Sequence, residues 1–143
     1  MPADLYSITD DRSLSVIMDI GGDDRGAYAL GRLRDAIKNE NDYEMLMVVN
    51  KFRPLTPDAE STIEVMREIE WACGIPFTGI INNSNLAGET DASAVLSSVK
   101  YAQEVSELSG LPVVLTTVET HLYDELKDKI SPLFRLKLQK KPI

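Results

Sequence analysis

The sequence predicts an α/β fold, a mostly parallel sheet of about five strands with helices on both faces. Two observations predict it. Short apolar runs rich in β-branched residues alternate with segments of helical periodicity along the chain. The runs are continuously apolar and do not alternate with polar residues, which is typical of βαβ units in a sheet covered on both sides.

Five runs predict the strands, at residues 14–20, 44–50, 77–83, 111–118 and 133–138. Helices are expected in between: one opening near Gly26, then 57–74, 91–108 and 119–130. Within the second of these helices, Thr56 is the expected cap, Gly74 the expected end, and Met66 and Trp71 the expected core positions.

Composition narrows the class of protein. The 143 residues, 43% of them hydrophobic, suffice for one ordinary domain. A net charge of -8 argues against a broad surface for nucleic acid or anionic lipid. No apolar run approaches the roughly 18 residues of a membrane span. We therefore expect a cytoplasmic protein with no membrane span and no nucleic-acid partner.

The single cysteine, Cys73, and the single histidine, His121, exclude an intramolecular disulfide framework and a zinc cluster of His and Cys. Any bound metal would be held by oxygen atoms. Cys73 itself is expected to be a small buried residue near a helix end.

Ligands of parallel α/β sheets bind at the carboxyl ends of the strands, so the residues that follow the predicted strands are the candidates for function. Asp19 ends the first predicted strand, just before Gly21 and Gly22. A carboxylate there suits a hydrated Mg²⁺, and glycines let backbone amides approach a phosphate. A tight turn is the other interpretation of the same residues, since Asp-Gly pairs at strand ends often form one.

Asn82 and Asn83 end the third predicted strand. A side-chain amide donates and accepts hydrogen bonds at once, which is what reading the edge of a purine requires. The other interpretation is an Asx turn, since asparagine bonds readily to its own backbone two residues on.

In their order along the chain, five segments resemble the C-terminal half of a MinD/ParA/NifH-type P-loop ATPase, the CobQ/CobB/MinD/ParA nucleotide-binding domain. They are the run 16–22, the helix after Gly26, the strand 45–50 with its Arg53-Pro54 loop, the segment 78–83 and the run 111–114. The resemblance covers roughly residues 6–126 and looks closest to an uncharacterised ATP-binding branch of that family.

The resemblance implies a partial SIMIBI-type P-loop NTPase fold that binds Mg²⁺ and ATP in the intact protein. Asp19 would lie near the magnesium and the Gly22 amide near the terminal phosphate. Asn83 would contact the base, with Asn82 as its competitor, and Thr117 would lie in the segment that flanks the base. Implied partners are a second copy of the chain or a P-loop-bearing N-terminal segment.

The sequence departs from the family in one large respect. It contains no Gly-x-x-x-x-Gly-Lys-Ser/Thr loop and no second, signature lysine. We therefore expect the C-terminal portion of a longer protein, with residues 1–130 belonging to the nucleotide-binding domain and 131–143 forming a basic terminal strand or tail. No catalytic residue is assigned, and hydrolysis is not expected of this chain alone.

Two other classes stay open. One is a non-catalytic α/β protein-interaction module that has lost nucleotide binding. The other is a response-regulator-like domain with Asp19 as phosphoacceptor, which is disfavoured because the chain lacks an acidic pair at the preceding strand end and a well-placed lysine after the fourth strand.

Overall fold

Four parallel strands form the sheet of this protein. The computed structural model describes residues 17–20, 24–40, 43–85 and 90–137. The strands are β1 (Leu46–Val49), β2 (Gly79–Asn82), β3 (Val113–Glu119) and β4 (Leu133–Leu136). They lie side by side in chain order, and every neighbouring pair is parallel. The predicted α/β class with a parallel sheet is therefore confirmed.

Helices separate the strands along the chain. They are α1 (Asp24–Gly31), α2 (Arg34–Glu40), α3 (Ala59–Cys73), α4 (Ala92–Ser109) and α5 (Thr120–Leu126). The helix predicted after Gly26 is divided in two, because the chain makes a turn at Arg32 and Leu33 before it resumes. Within the described ranges, no helix combines the length and apolar character needed to cross a membrane.

Within the described residues the sheet has four strands, where about five were predicted. The missing one is the first, predicted at 14–20, of which the structure describes residues 17–20. These four residues belong to no strand, and Ile17 is 99% exposed. A short apolar run does not by itself become a buried strand, since a strand also needs a neighbour with which its backbone pairs.

Helix ends follow local hydrogen bonding. Asp91 caps α4 by accepting from Ala94 N at 2.7 Å, and Gly110 ends that helix with a φ of 75°. The expected cap of α3 was wrong: Asp58, not Thr56, accepts from the Ser61 amide, at 2.8 Å. Thr56 instead donates its hydroxyl to the Asn50 carbonyl, which holds the loop after β1.

The chain divides into two compact units, Met1–Met45 with Met66–Pro76, and Leu46–Val65 with Phe77–Ile143. The core of the first unit contains Ala27, Leu30, Cys73 and Ile75. Cys73 is buried, as predicted. A Cβ atom on Gly31 would lie 3.4 Å from the Ala72 carbonyl oxygen, so glycine allows this close packing.

The second unit holds the sheet. Val95 of α4 and two residues of α5, Leu122 and Leu126, pack with Val118 of β3 into one buried cluster. Burial alternates between the two faces of the sheet along β1, and it alternates along β3 from Leu115 to Glu119, after a register shift opposite Ile80 and Ile81. The face of the sheet that points away from the buried cluster carries exposed apolar side chains: Val48 is 58%, Val114 39% and Phe134 53% exposed. In this unit α4 and α5 therefore cover one face of the sheet.

Candidate functional site

The four strands are parallel, so their carboxyl ends share one edge of the sheet. There the loop after β2 and the end of β3 line a cavity of about 20 Å³, which is room for one water molecule. We call this region the carboxyl-edge site. Its polar lining consists of Asn83, Ser84, Asn85, Thr90, Thr117 and Glu119.

Asn82 lies within the packed interior behind this edge. Its side chain is fully buried. Its Nδ2 group donates to Ser98 Oγ at 3.0 Å, and its Oδ1 atom accepts from the hydroxyl of Ser84 at 2.7 Å and from the Ser84 amide at 3.3 Å. These bonds tie the end of β2 to helix α4. The Asn82 amide is thus engaged inside the protein.

Asn83 points the other way, as expected for the next residue along a strand. Its Oδ1 atom accepts a hydrogen bond of 2.5 Å from Thr117 Oγ1 of β3. The Asn83 amide N–H donates to the Val49 carbonyl of β1 at 2.9 Å. The backbone and the side chain of Asn83 are therefore both fixed by neighbouring strands.

A second pair of asparagines joins the loops after β1 and β2. Asn50 Nδ2 donates to the Asn85 carbonyl at 3.3 Å, and Asn50 Oδ1 accepts from the Asn85 amide at 3.3 Å and from the Phe52 amide at 2.9 Å. The Lys51 amide also donates to Ser84 Oγ at 2.9 Å. The sequence marks Asn50 and Asn85 as polar strand-end residues but does not reveal this pairing.

Glu119 brings a negative charge to the site. It is the last residue of β3, and its Oε2 atom is buried without a hydrogen-bond partner. The imidazole of His121 lies beside it, with Nδ1 3.4 Å from that oxygen. The helical pattern 119–130 begins at Glu119, and the resemblance places this residue with Thr117 in the segment that flanks the base. Glu119 pairs with Leu136 of β4, a partner that the strand pattern alone does not specify.

Asp19 and Gly22 are the remaining predicted site residues. Asp19 is exposed in the segment 17–20 of the first unit, and Gly22 lies outside the described residues. The described residues contain no group of three or more His, Cys, Asp or Glu side chains able to hold a metal ion. The structure thus brings together Asn82, Asn83 and Thr117.

Comparison with known proteins does not show a family for this chain. The chain has no significant match among protein-family models, curated proteins or solved structures.

Proposed function

We propose that this chain is the C-terminal, base-binding part of an ATP-dependent switch protein, with Asn83 as the residue that reads the adenine. The proposal rests on one observation above all, the hydrogen bond from Thr117 Oγ1 to Asn83 Oδ1 at the carboxyl edge of the sheet. Ligands of parallel α/β sheets bind at this edge. The order of sequence segments that resembles MinD/ParA-type ATPases supports the same function.

Adenine matches an asparagine held in this way. Because the Thr117 hydroxyl donates to Oδ1, the amide is oriented, with a lone pair on Oδ1 and the Nδ2 donor still available. Adenine presents an N6 amino donor beside the N7 acceptor, and guanine presents two acceptors, N7 and O6. An asparagine amide complements the first pair and not the second, so the proposed preference is for ATP over GTP.

The small cavity limits where the base lies. A space of about 20 Å³ takes a water molecule and not a purine. The proposed position of the base is therefore the solvent-facing side of Asn83, outside the cavity. In this arrangement Thr117 orients the amide, and Asn82 acts as a positioning residue through Ser84 and Ser98.

Mg²⁺ and the phosphates belong to the proposal through the sequence resemblance, which assigns them to Asp19 and Gly22. The described residues present no cluster of ligands for a metal.

The first test is the thermal midpoint of the chain with and without MgATP, with MgGTP as the control. A ligand at about 100 times its dissociation constant stabilises a protein by about 2.7 kcal/mol, a shift of several degrees for a chain of this size. We expect a shift with MgATP and a smaller one with MgGTP. Equal shifts with both nucleotides, or none with either, contradict the assignment of Asn83.

Variants of single residues show which side chain is responsible for the shift in thermal midpoint with MgATP. Asn83→Ala and Thr117→Val are expected to reduce the ATP shift, the second because it leaves the Asn83 amide unoriented. Asn39→Ala, at an exposed position of α2, is the control and keeps the full shift. If Asn83→Ala binds ATP as the unmodified chain does, the proposed contact is wrong.

A second candidate, a protein-interaction module, is favoured by the exposed apolar face of the sheet at Val48, Val114 and Phe134. We propose that a second copy of the chain covers this face. Light scattering after size exclusion is expected to give a mass above that of one chain, which Phe134→Asp returns to a monomer. A monomer at all concentrations argues against this candidate.

A further inference from the structure

An exposed tryptophan stands out in the first unit. Trp71, near the end of α3, is 82% exposed, although its helical spacing predicted a core position, and Tyr28 of α1 is 59% exposed. Met66, predicted to be core by the same spacing, is fully buried. Burying a tryptophan gains more free energy than burying almost any other side chain. Its exposure therefore indicates a surface with a partner.

Trp71 and Tyr28 line one open groove of about 590 Å³, which we call the aromatic groove. Its other lining residues are Arg67, Glu68 and Ala72. Tryptophan, tyrosine and arginine are the residues most enriched at the energetic centres of protein interfaces. All three residue types meet here on two helices of one unit.

The charges in the aromatic groove determine which charge a bound partner segment should carry. Arg67 Nη1 lies 2.6 Å from Glu70 Oε1, so the charge of this arginine is already balanced. Glu68 forms no ion pair in the described part of the chain and is exposed. The groove therefore presents two aromatic side chains and one unbalanced negative charge.

We propose that the aromatic groove binds a basic segment of a partner protein, with an arginine or lysine of that segment over Trp71 and its charge near Glu68. A cation within about 6 Å of an aromatic ring is attracted by the negative face of the ring, and tryptophan is the strongest such site. The same chain already uses this contact elsewhere, where Arg135 lies 4.8 Å above the ring of Tyr123.

The fluorescence of Trp71 reports binding in the aromatic groove, since Trp71 is the only tryptophan of the chain. The probe is a capped nine-residue peptide in which arginine alternates with leucine, and the control peptide carries glutamate in place of arginine. We expect a saturable change in tryptophan emission with the arginine peptide, weakened by added salt, and no change with the glutamate peptide.

Variants test the two contacts separately. Tyr28→Ala leaves the reporter in place and is expected to weaken binding about threefold. Glu68→Gln is expected to weaken it about twofold at low salt, and Glu44→Gln, an exposed acid outside the groove, leaves it unchanged. Trp71→Ala, followed by calorimetry, is expected to lose binding while its circular dichroism stays that of the folded chain.

Three results overturn the proposal. One is equal binding of the arginine and the glutamate peptide, which means that the groove does not distinguish the charge of the peptide. Another is an equal effect of Glu68→Gln and Glu44→Gln, which places the acidic contact elsewhere. The third is a change in Trp71 emission with phosphatidylcholine vesicles but not with the peptide, which makes the groove a lipid-contacting surface.

Discussion

Thr62 Oγ1 lies 2.6 Å from Tyr101 Oη and joins helix α3 to helix α4 through two buried side chains. Thr62 has a single hydroxyl hydrogen, which it donates to the Asp58 carbonyl at 2.8 Å. Tyr101 is therefore the donor of the bond between them. Burial raises the pKa of Tyr101 above its ordinary value of 10.0, which keeps the phenol protonated and able to donate.

Tyr101→Phe removes this donor and keeps the ring. Thr62 Oγ1 then loses a hydrogen bond in a buried position, so the free energy of unfolding is expected to fall by about 1 kcal/mol. Urea denaturation measures it as a lower midpoint at an unchanged slope.

Tyr28→Phe is the matched control, because Tyr28 is 59% exposed and its hydroxyl is open to water. We expect no change in its unfolding midpoint. An equal loss in both variants means that the loss of a phenol hydroxyl as such, and not the loss of the bond to Thr62, lowers the free energy of unfolding.

Asp58 makes stability depend on pH at the acid end. The Ser61 amide and hydroxyl bond to Asp58 and hold its pKa below the ordinary value of 3.8. The stabilisation is complete above pH 3.8. As the pH falls further, the unfolded chain takes up the proton first, and the contribution is lost as the pH passes through the lower pKa of the folded state.

Asp58→Asn keeps a capping side chain at the start of α3 but removes the carboxyl group that titrates. Asparagine caps helices about as well as aspartate but does not ionise. Its thermal midpoint is therefore expected to resemble that of the unmodified chain at neutral pH and to fall less between neutral and acid pH. Asp128→Asn, at an exposed turn position, is the control. If both variants lose the same acid dependence, Asp58 is not its source.

Asn82→Ala is expected to destabilise the protein strongly, because it removes the acceptor of the buried Ser84 hydroxyl and amide. The expected loss is about 2 kcal/mol. Asn82→Asp keeps the acceptor but buries a charge, and is expected to cost more. Thermal denaturation of both variants measures the effect.

Asn39→Ala again serves as the control for this series and is expected to unfold like the unmodified chain. A small effect of Asn82→Ala means that the end of β2 does not need its tie to α4, and that Asn82 is available to a ligand after all.

Helix ends were largely predictable, because a few local signals set them. Helix α4 begins after Asp91 and ends before Gly110, close to the predicted range 91–108, and Gly74 follows the end of α3 with a φ of 72°. The exception is the start of α3, where Thr56 and Asp58 are both good caps by residue type. The choice depends on the Asn50 carbonyl, a contact six residues away that sequence spacing does not show.

Burial was harder to predict. Met66 and Trp71 were both predicted to be core residues, but one is fully buried and the other 82% exposed. The two lie five residues apart in α3, and at 3.6 residues per turn only positions three or four apart share a helix face, so their side chains point to different sides. At the site, Asn82 and Asn83 were interchangeable by sequence. The pleat of β2 separates them, since successive side chains point to opposite faces of the sheet.

The consecutive order of β1, β2, β3 and β4 leaves β1 and β4 at the two ends of the described sheet. Each of these two strands pairs along only one side within the described sheet, so a strand supplied by another chain would extend the sheet there without breaking an interstrand hydrogen bond of the described strands.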